Sequence, residues 1–180
     1  ATGYAAFTAA QKTAARQVFD LIDDVADIEL NDLGDANTGQ ILLGRNGNTG
    51  GAAGYAYFPS ESSPRGGDVW IDKDLFTSSD LASGERGFST LIHEICHALG
   101  LKHSFERDNG LDALNKFDFP DHDVLDAPED SNKYTVMSYT AHPKGSWVDV
   151  DGMSATKYNI EPSTPLLYDI AALQYLYGAN

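Results

Sequence analysis

The segment His93-Glu94-Ile95-Cys96-His97-Ala98-Leu99-Gly100-Leu101-Lys102-His103 constrains this chain more than any other feature. On an α-helix, residues four apart stand on one face, a turn above each other. His93 and His97 can therefore offer two imidazole nitrogens to one ion at about 2.0–2.1 Å, the spacing zinc requires. Glu94 lies about 100° further round the helix. There it can take a proton from a water at the metal instead of binding the metal itself. Gly100 can adopt positive φ without steric cost, so the chain can turn back and bring His103 in as a third ligand. Three neutral imidazoles leave zinc its full charge and one open position, the arrangement of a catalytic site. Cys96 stands beside His97 and points partly away from the shared histidine face, so it reads as a small buried thiol and not as a ligand.

Downstream lies Tyr134-Thr135-Val136-Met137-Ser138-Tyr139. HExxHxxGxxH followed by a methionine-containing turn resembles the metzincin zinc endopeptidases. The Met-Ser-Tyr step and the closing PLLYDIAALQYLYGAN are similar to the serralysin-type branch. The resemblance covers about Phe88–His103, Glu129–Tyr139 and Pro165–Asn180. It implies an α+β, zincin-like fold: a twisted mixed sheet of four to five strands, an active-site helix, and a less regular C-terminal subdomain ending in a helix. Residues 1–103 would form the upper subdomain and 104–180 the lower, within a single catalytic domain.

The same resemblance implies one catalytic zinc on His93, His97 and His103, with Glu94 as general base. Met137 would form the apolar floor beneath the histidines. Tyr139 would serve as a further zinc ligand that swings away when substrate binds and helps stabilise the oxyanion, which a phenol can do by donating a hydrogen bond. The implied activity is hydrolysis of extended polypeptides by a secreted, monomeric enzyme. A pro-segment and a C-terminal calcium-repeat domain would belong to a longer parent chain. Serralysins usually carry glycine where this chain has Cys96, proline where it has Ser104, and tryptophan where it has Thr140. None of these departures removes a ligand or the base; they bear on substrate preference.

Net charge is −15, from 12 Lys and Arg against 27 Asp and Glu. Such a surface repels phosphate backbones and anionic headgroups, so nucleic acid and membrane are excluded as partners. One cysteine excludes an internal disulfide. Asp118, Asp121, Asp123, Asp126, Glu129 and Asp130 could gather calcium, a hard ion that takes oxygen ligands, although no EF-hand spacing is present. The glycine-rich stretch Gly44–Gly54 lacks the lysine and hydroxyl of a phosphate loop. Two rival readings are a zinc-stabilised binding domain that turns nothing over and a calcium-dependent adhesion module. A structural zinc has no use for Glu94, which weighs against the first. Acidity alone suggests the second.

Periodicity predicts a helix over residues 8–26. Thr8 and Gln11 stand at capping-box spacing, and Ala14, Ala15, Val18, Phe19, Ile22 and Val25 form one apolar stripe. Strands are expected near Asp27–Asn31, Gln40–Leu43, Tyr55–Phe58 and Asp68–Ile71. A strand normally precedes the first helix in this family, yet only Ala1–Phe7 are available for it, so it is short, was trimmed, or belongs to a longer parent chain. Tyr55–Phe58 would be the edge strand over the cleft, able to pair with an extended peptide. The second helix is expected from Glu85 to Leu99, an irregular stretch from Ser104 to Pro165, and a last helix from Thr164 to Leu176.

Overall fold

A computed structural model describes residues 3–34, 39–106 and 124–180. Strand β1 (Tyr4–Ala6) leads into helix α1 (Ala9–Asp23), followed by β2 (Leu43–Asn46), β3 (Gly54–Ala56) and β4 (Val69–Asp72). A 3-10 turn at Ser79–Leu81 precedes helix α2 (Arg86–Ala98). Strands β5 (Ser146–Asp151) and β6 (Ser154–Asn159) and helix α3 (Leu167–Tyr177) complete the order.

Four strands form a mixed sheet in the order β1-β2-β4-β3. β1 runs antiparallel to β2, β2 parallel to β4, and β3 antiparallel to β4, which leaves β3 at the edge. This is the expected mixed α+β architecture, with the N-terminal strand present but only three residues long. α2 lies against β3 and β4, and α1 packs on α2. Val69 and Ile71 meet the buried α2 face of Leu91, Ile92 and Ile95, while α1 contributes Ala14, Ala15, Val18 and Ile22 to the same core.

The start of α1 follows from its capping box. Thr8 Oγ1 accepts from the Gln11 backbone N–H at 3.2 Å, and Gln11 Oε1 accepts from the Thr8 backbone N–H at 2.9 Å. Two orphan donors of the first turn are thereby satisfied.

Three local expectations are corrected. Asp27–Asn31 is not a strand: Asp27 N–H donates to Gly178 O at 2.9 Å and Ala26 bridges Ala179, so this segment pairs with the chain's last residues and not with the sheet. The strand expected at Gln40–Leu43 lies at Leu43–Asn46, partly inside the glycine-rich stretch. Gly44 sits opposite Trp70, and a Cβ there would come within 2.5 Å of the indole, so a bare backbone is what this register needs. The stretch expected to be irregular holds the antiparallel hairpin β5–β6, closed by Gly152-Met153 and carrying Trp147 stacked on Tyr158 at 4.4 Å.

Candidate metal centre

α2 ends in a Schellman motif: Leu101 N–H donates to Cys96 O at 3.0 Å and Gly100 N–H to His97 O at 2.9 Å. Gly100 has φ +103°, in a region that side chains with a Cβ rarely adopt. The reversal also turns the Leu101 carbonyl onto the His97 ring, whose Nδ1 lies 2.7 Å from it. The chain then brings His103 beside the helix, as the glycine spacing requires.

His93, His97 and His103 each offer one ring nitrogen within 4.8 Å of the others, a group that could hold a metal ion. His93 Nδ1 lies 2.7 Å from Val136 O, and His103 Nδ1 lies 3.1 Å from Glu106 Oε2. A carbonyl oxygen carries no proton, so His93 and His97 must donate from Nδ1, which leaves a lone pair on each Nε2. His97 Nε2 stands 3.1 Å from His103 Nε2. With Nδ1 donating on every ring, these are acceptors facing each other, a donor set that suits a cation.

Electrostatics point the same way. Burial pushes His97 down to about 4, assisted by His93 nearby, and burial also lowers His93. Both rings are therefore neutral at neutral pH, as metal ligands must be. Glu94 is buried, its Oε2 has no hydrogen-bond partner, and desolvation raises it to about 8. An unpartnered carboxylate oxygen at such a position is costly unless a polar or cationic group serves it. Gly54 on β3 makes room for this side chain: a Cβ there would lie 3.0 Å from Glu94 Cγ.

Tyr139 hydroxyl stands 2.9 Å from His103 Nε2, and the residue is 72 % exposed. Met137 is 2 % exposed, its N–H donates to Thr135 Oγ1 at 3.0 Å, and its carbonyl accepts from Ser104 N–H at 3.4 Å. Cys96 is fully buried, and burial raises its thiol well above the usual range, consistent with an inert packing residue. Asp126, Glu129 and Asp130 do not join any metal-holding group among the described residues; Asp130 instead accepts from Ser104 Oγ at 2.6 Å. Asp118, Asp121 and Asp123 lie outside the described residues.

Sequence reasoning passed over two carboxylates. Asp169 on α3 is 1 % exposed, and its carboxylate accepts from Thr135 Oγ1 at 2.6 Å and from the N–H groups of Val136 and Leu166 at 2.8 Å each. Glu106 sits three residues after His103. An acidic residue inside the otherwise apolar YDIAALQ run was the available signal for the first, and no pattern marks the second.

Residues 5–130 match the matrixin peptidase family model. The chain is 34 % identical over 188 residues to a serralysin of Photorhabdus sp. (strain Az29), covering 99 % of this chain and 35 % of that protein. It is 30 % identical over 194 residues to a serralysin of Proteus mirabilis, covering 97 % and 35 %. It is 29 % identical over 184 residues to the metallopeptidase AprA of Pseudomonas marginalis, covering 99 % and 36 %. The chain thus spans about a third of the length of these relatives. Taken with the histidine geometry, the match shows that this chain belongs to the matrixin family of metallopeptidases, and its similarity along nearly its whole length is to the serralysin type.

Proposed function

We propose that the chain is a zinc-dependent endopeptidase whose metal is held by Nε2 of His93, His97 and His103. The observation that carries this reading is the convergence of three ring nitrogens beside a buried carboxylate oxygen that has no partner. Zinc, when bound, supplies Lewis acidity to the scissile carbonyl and lowers the pKa of a water. Glu94 takes the proton from the attacking water and delivers it to the leaving amine. Its raised proton affinity belongs to the metal-free chain; a neighbouring dication favours its charged form, the one that can act as base.

Tyr139 donates a hydrogen bond to the developing oxyanion; its hydroxyl rests 2.9 Å from His103 Nε2, a contact an exposed ring can exchange for one with substrate. Met137 closes the site from below as an apolar floor. The unpaired side of β3 presents backbone donors and acceptors that an extended polypeptide can pair with, and a cleft between residues 1–103 and 104–180 would receive it. No helix among the described residues is long and apolar enough to cross a membrane. On the strength of the similarity to serralysins, we take the enzyme to act outside the cell on extended polypeptides.

Casein digestion tests this. The wild-type chain loaded with zinc should clear casein, and Glu94→Gln should bind zinc equally well and clear it about 100-fold slower or worse. Equal clearance by both would leave a zinc-stabilised binding domain as the better description.

A further inference from the structure

His93 and His97 are carried by a helix, and each is anchored through Nδ1 to a backbone carbonyl 2.7 Å away. His103 lies beyond the helix end, so its ring has no helical rotamer restraint. Side chains hold it instead. Phe105 stacks on it at 5.1 Å with an interplanar angle of 8°, Tyr139 meets it edge-on at 4.7 Å, and Glu106 Oε2 lies 3.1 Å from its Nδ1. Among the three histidines, this is the one whose Nδ1 partner is an ionisable carboxylate.

The turn that presents Glu106 is itself fixed. Glu106 N–H donates to His103 O at 3.1 Å, Leu125 N–H to Ser104 O at 2.8 Å, and Ser104 Oγ to Asp130 Oδ1 at 2.6 Å. Glu106 therefore approaches His103 from a braced segment, although its side chain is 53 % exposed. We infer that Glu106 is the positioning residue of the third zinc ligand, holding His103 with Nδ1 protonated and Nε2 aimed at the metal, and strengthening that nitrogen as a donor. This rests on the zinc endopeptidase reading. A carboxylate partner of this kind orients the ring, fixes its tautomer and raises its basicity.

The test uses the full chain stripped of metal, with zinc affinity read by competition against a chromophoric chelator and ligand geometry read from the visible absorption of the cobalt(II) form. E106A should bind zinc about 10-fold more weakly or worse, with an altered cobalt spectrum and an unchanged melting temperature of the metal-free protein. E106Q keeps the volume and an acceptor oxygen, so it should recover part of the affinity and the wild-type cobalt spectrum; it also serves where E106A does not fold. Zinc affinity of E106A within about two-fold of wild type, with the same cobalt spectrum, overturns the assignment alone. Equal weakening of E106A and E106Q with both spectra unchanged also overturns it, because ring placement would not be what Glu106 supplies. A wild-type chain that binds no zinc overturns the endopeptidase reading, and this inference falls with it.

Discussion

The Asp169 carboxylate accepts the Val136 N–H at 2.8 Å, and the carbonyl of that same Val136 accepts from His93 Nδ1 at 2.7 Å. One peptide segment thereby joins a buried acid on α3 to the first histidine of α2. The same carboxylate takes Thr135 Oγ1, whose oxygen also receives the Met137 N–H. Asp169 therefore organises the methionine turn from behind, in a place where burial raises its proton affinity against the pull of these hydrogen bonds.

Removing that acid strands the buried Val136 N–H, the half-buried Leu166 N–H and the Thr135 hydroxyl. Asp169→Ala should lower the unfolding free energy by about 2–4 kcal/mol, read from urea melts, since hydrogen bonds to charged groups are worth about 1.5–3 kcal/mol each and buried donors without partners cost more. Asp169→Asn keeps one acceptor oxygen and should lose less. Equal stability of Asp169→Ala and wild type would show that the methionine turn holds without it.

Glu94 gives the metal-free chain a pH dependence with a definite sign. Its folded-state pKa is raised to about 8 from the ordinary 4.5. Between those values the folded chain keeps a proton that the unfolded chain releases, so stability falls as pH rises through the window, and the loss is complete above it. Melting temperatures in chelator should favour Glu94→Gln over wild type by a margin that grows from pH 5 to pH 8.5. A margin independent of pH would contradict the burial argument.

Gly100 tests the turn that delivers His103. Gly100→Ala meets only Leu176 and Pro59 at 3.7 and 3.9 Å, so space is not the obstacle; φ of +103° is. The expected cost is about 1 kcal/mol or somewhat more in stability, together with weaker zinc binding because the third histidine shifts. Stability loss without any change in zinc affinity would separate the turn from the site.

Thr8 provides a contrast remote from the histidines. Thr8→Ala removes the acceptor of the Gln11 N–H, while the backbone N–H at position 8 can still donate to Gln11 Oε1, and should cost about 1 kcal/mol with zinc affinity unchanged. A change in zinc affinity would mean that α1 reaches the site more directly than its packing on α2 suggests.

The site was legible because its chemistry depends on spacing. Four residues on a helix put His93 and His97 on one face, and a glycine at the helix end lets His103 follow. The N-cap of α1 was legible for the same reason, as a local motif with its own hydrogen bonds. The strands were displaced because their limits are set by partners far away in sequence. Leu43–Asn46 is a strand because Val69–Asp72 lies beside it, with Gly44 accommodating Trp70. Asp27–Asn31 is not one because residues 178–179 capture its neighbours. The β5–β6 hairpin did carry a readable signal in the Gly152-Met153 loop after the alternating Val148-Asp149-Val150-Asp151, outweighed by the surrounding prolines. Glu106 leaves no trace in the sequence because it serves a histidine across space, and Asp169 leaves only an acid within a largely apolar helix, with nothing to name the turn it serves.

Zinc-edge X-ray absorption on the zinc-loaded wild-type chain tests the central claim most directly. Three imidazoles from His93, His97 and His103 predict one zinc per chain with a nitrogen and oxygen shell at about 2.0–2.1 Å and the outer scattering of histidine rings. A sulfur shell near about 2.3 Å, which would bring in Cys96, or a chain that retains no zinc, would contradict it.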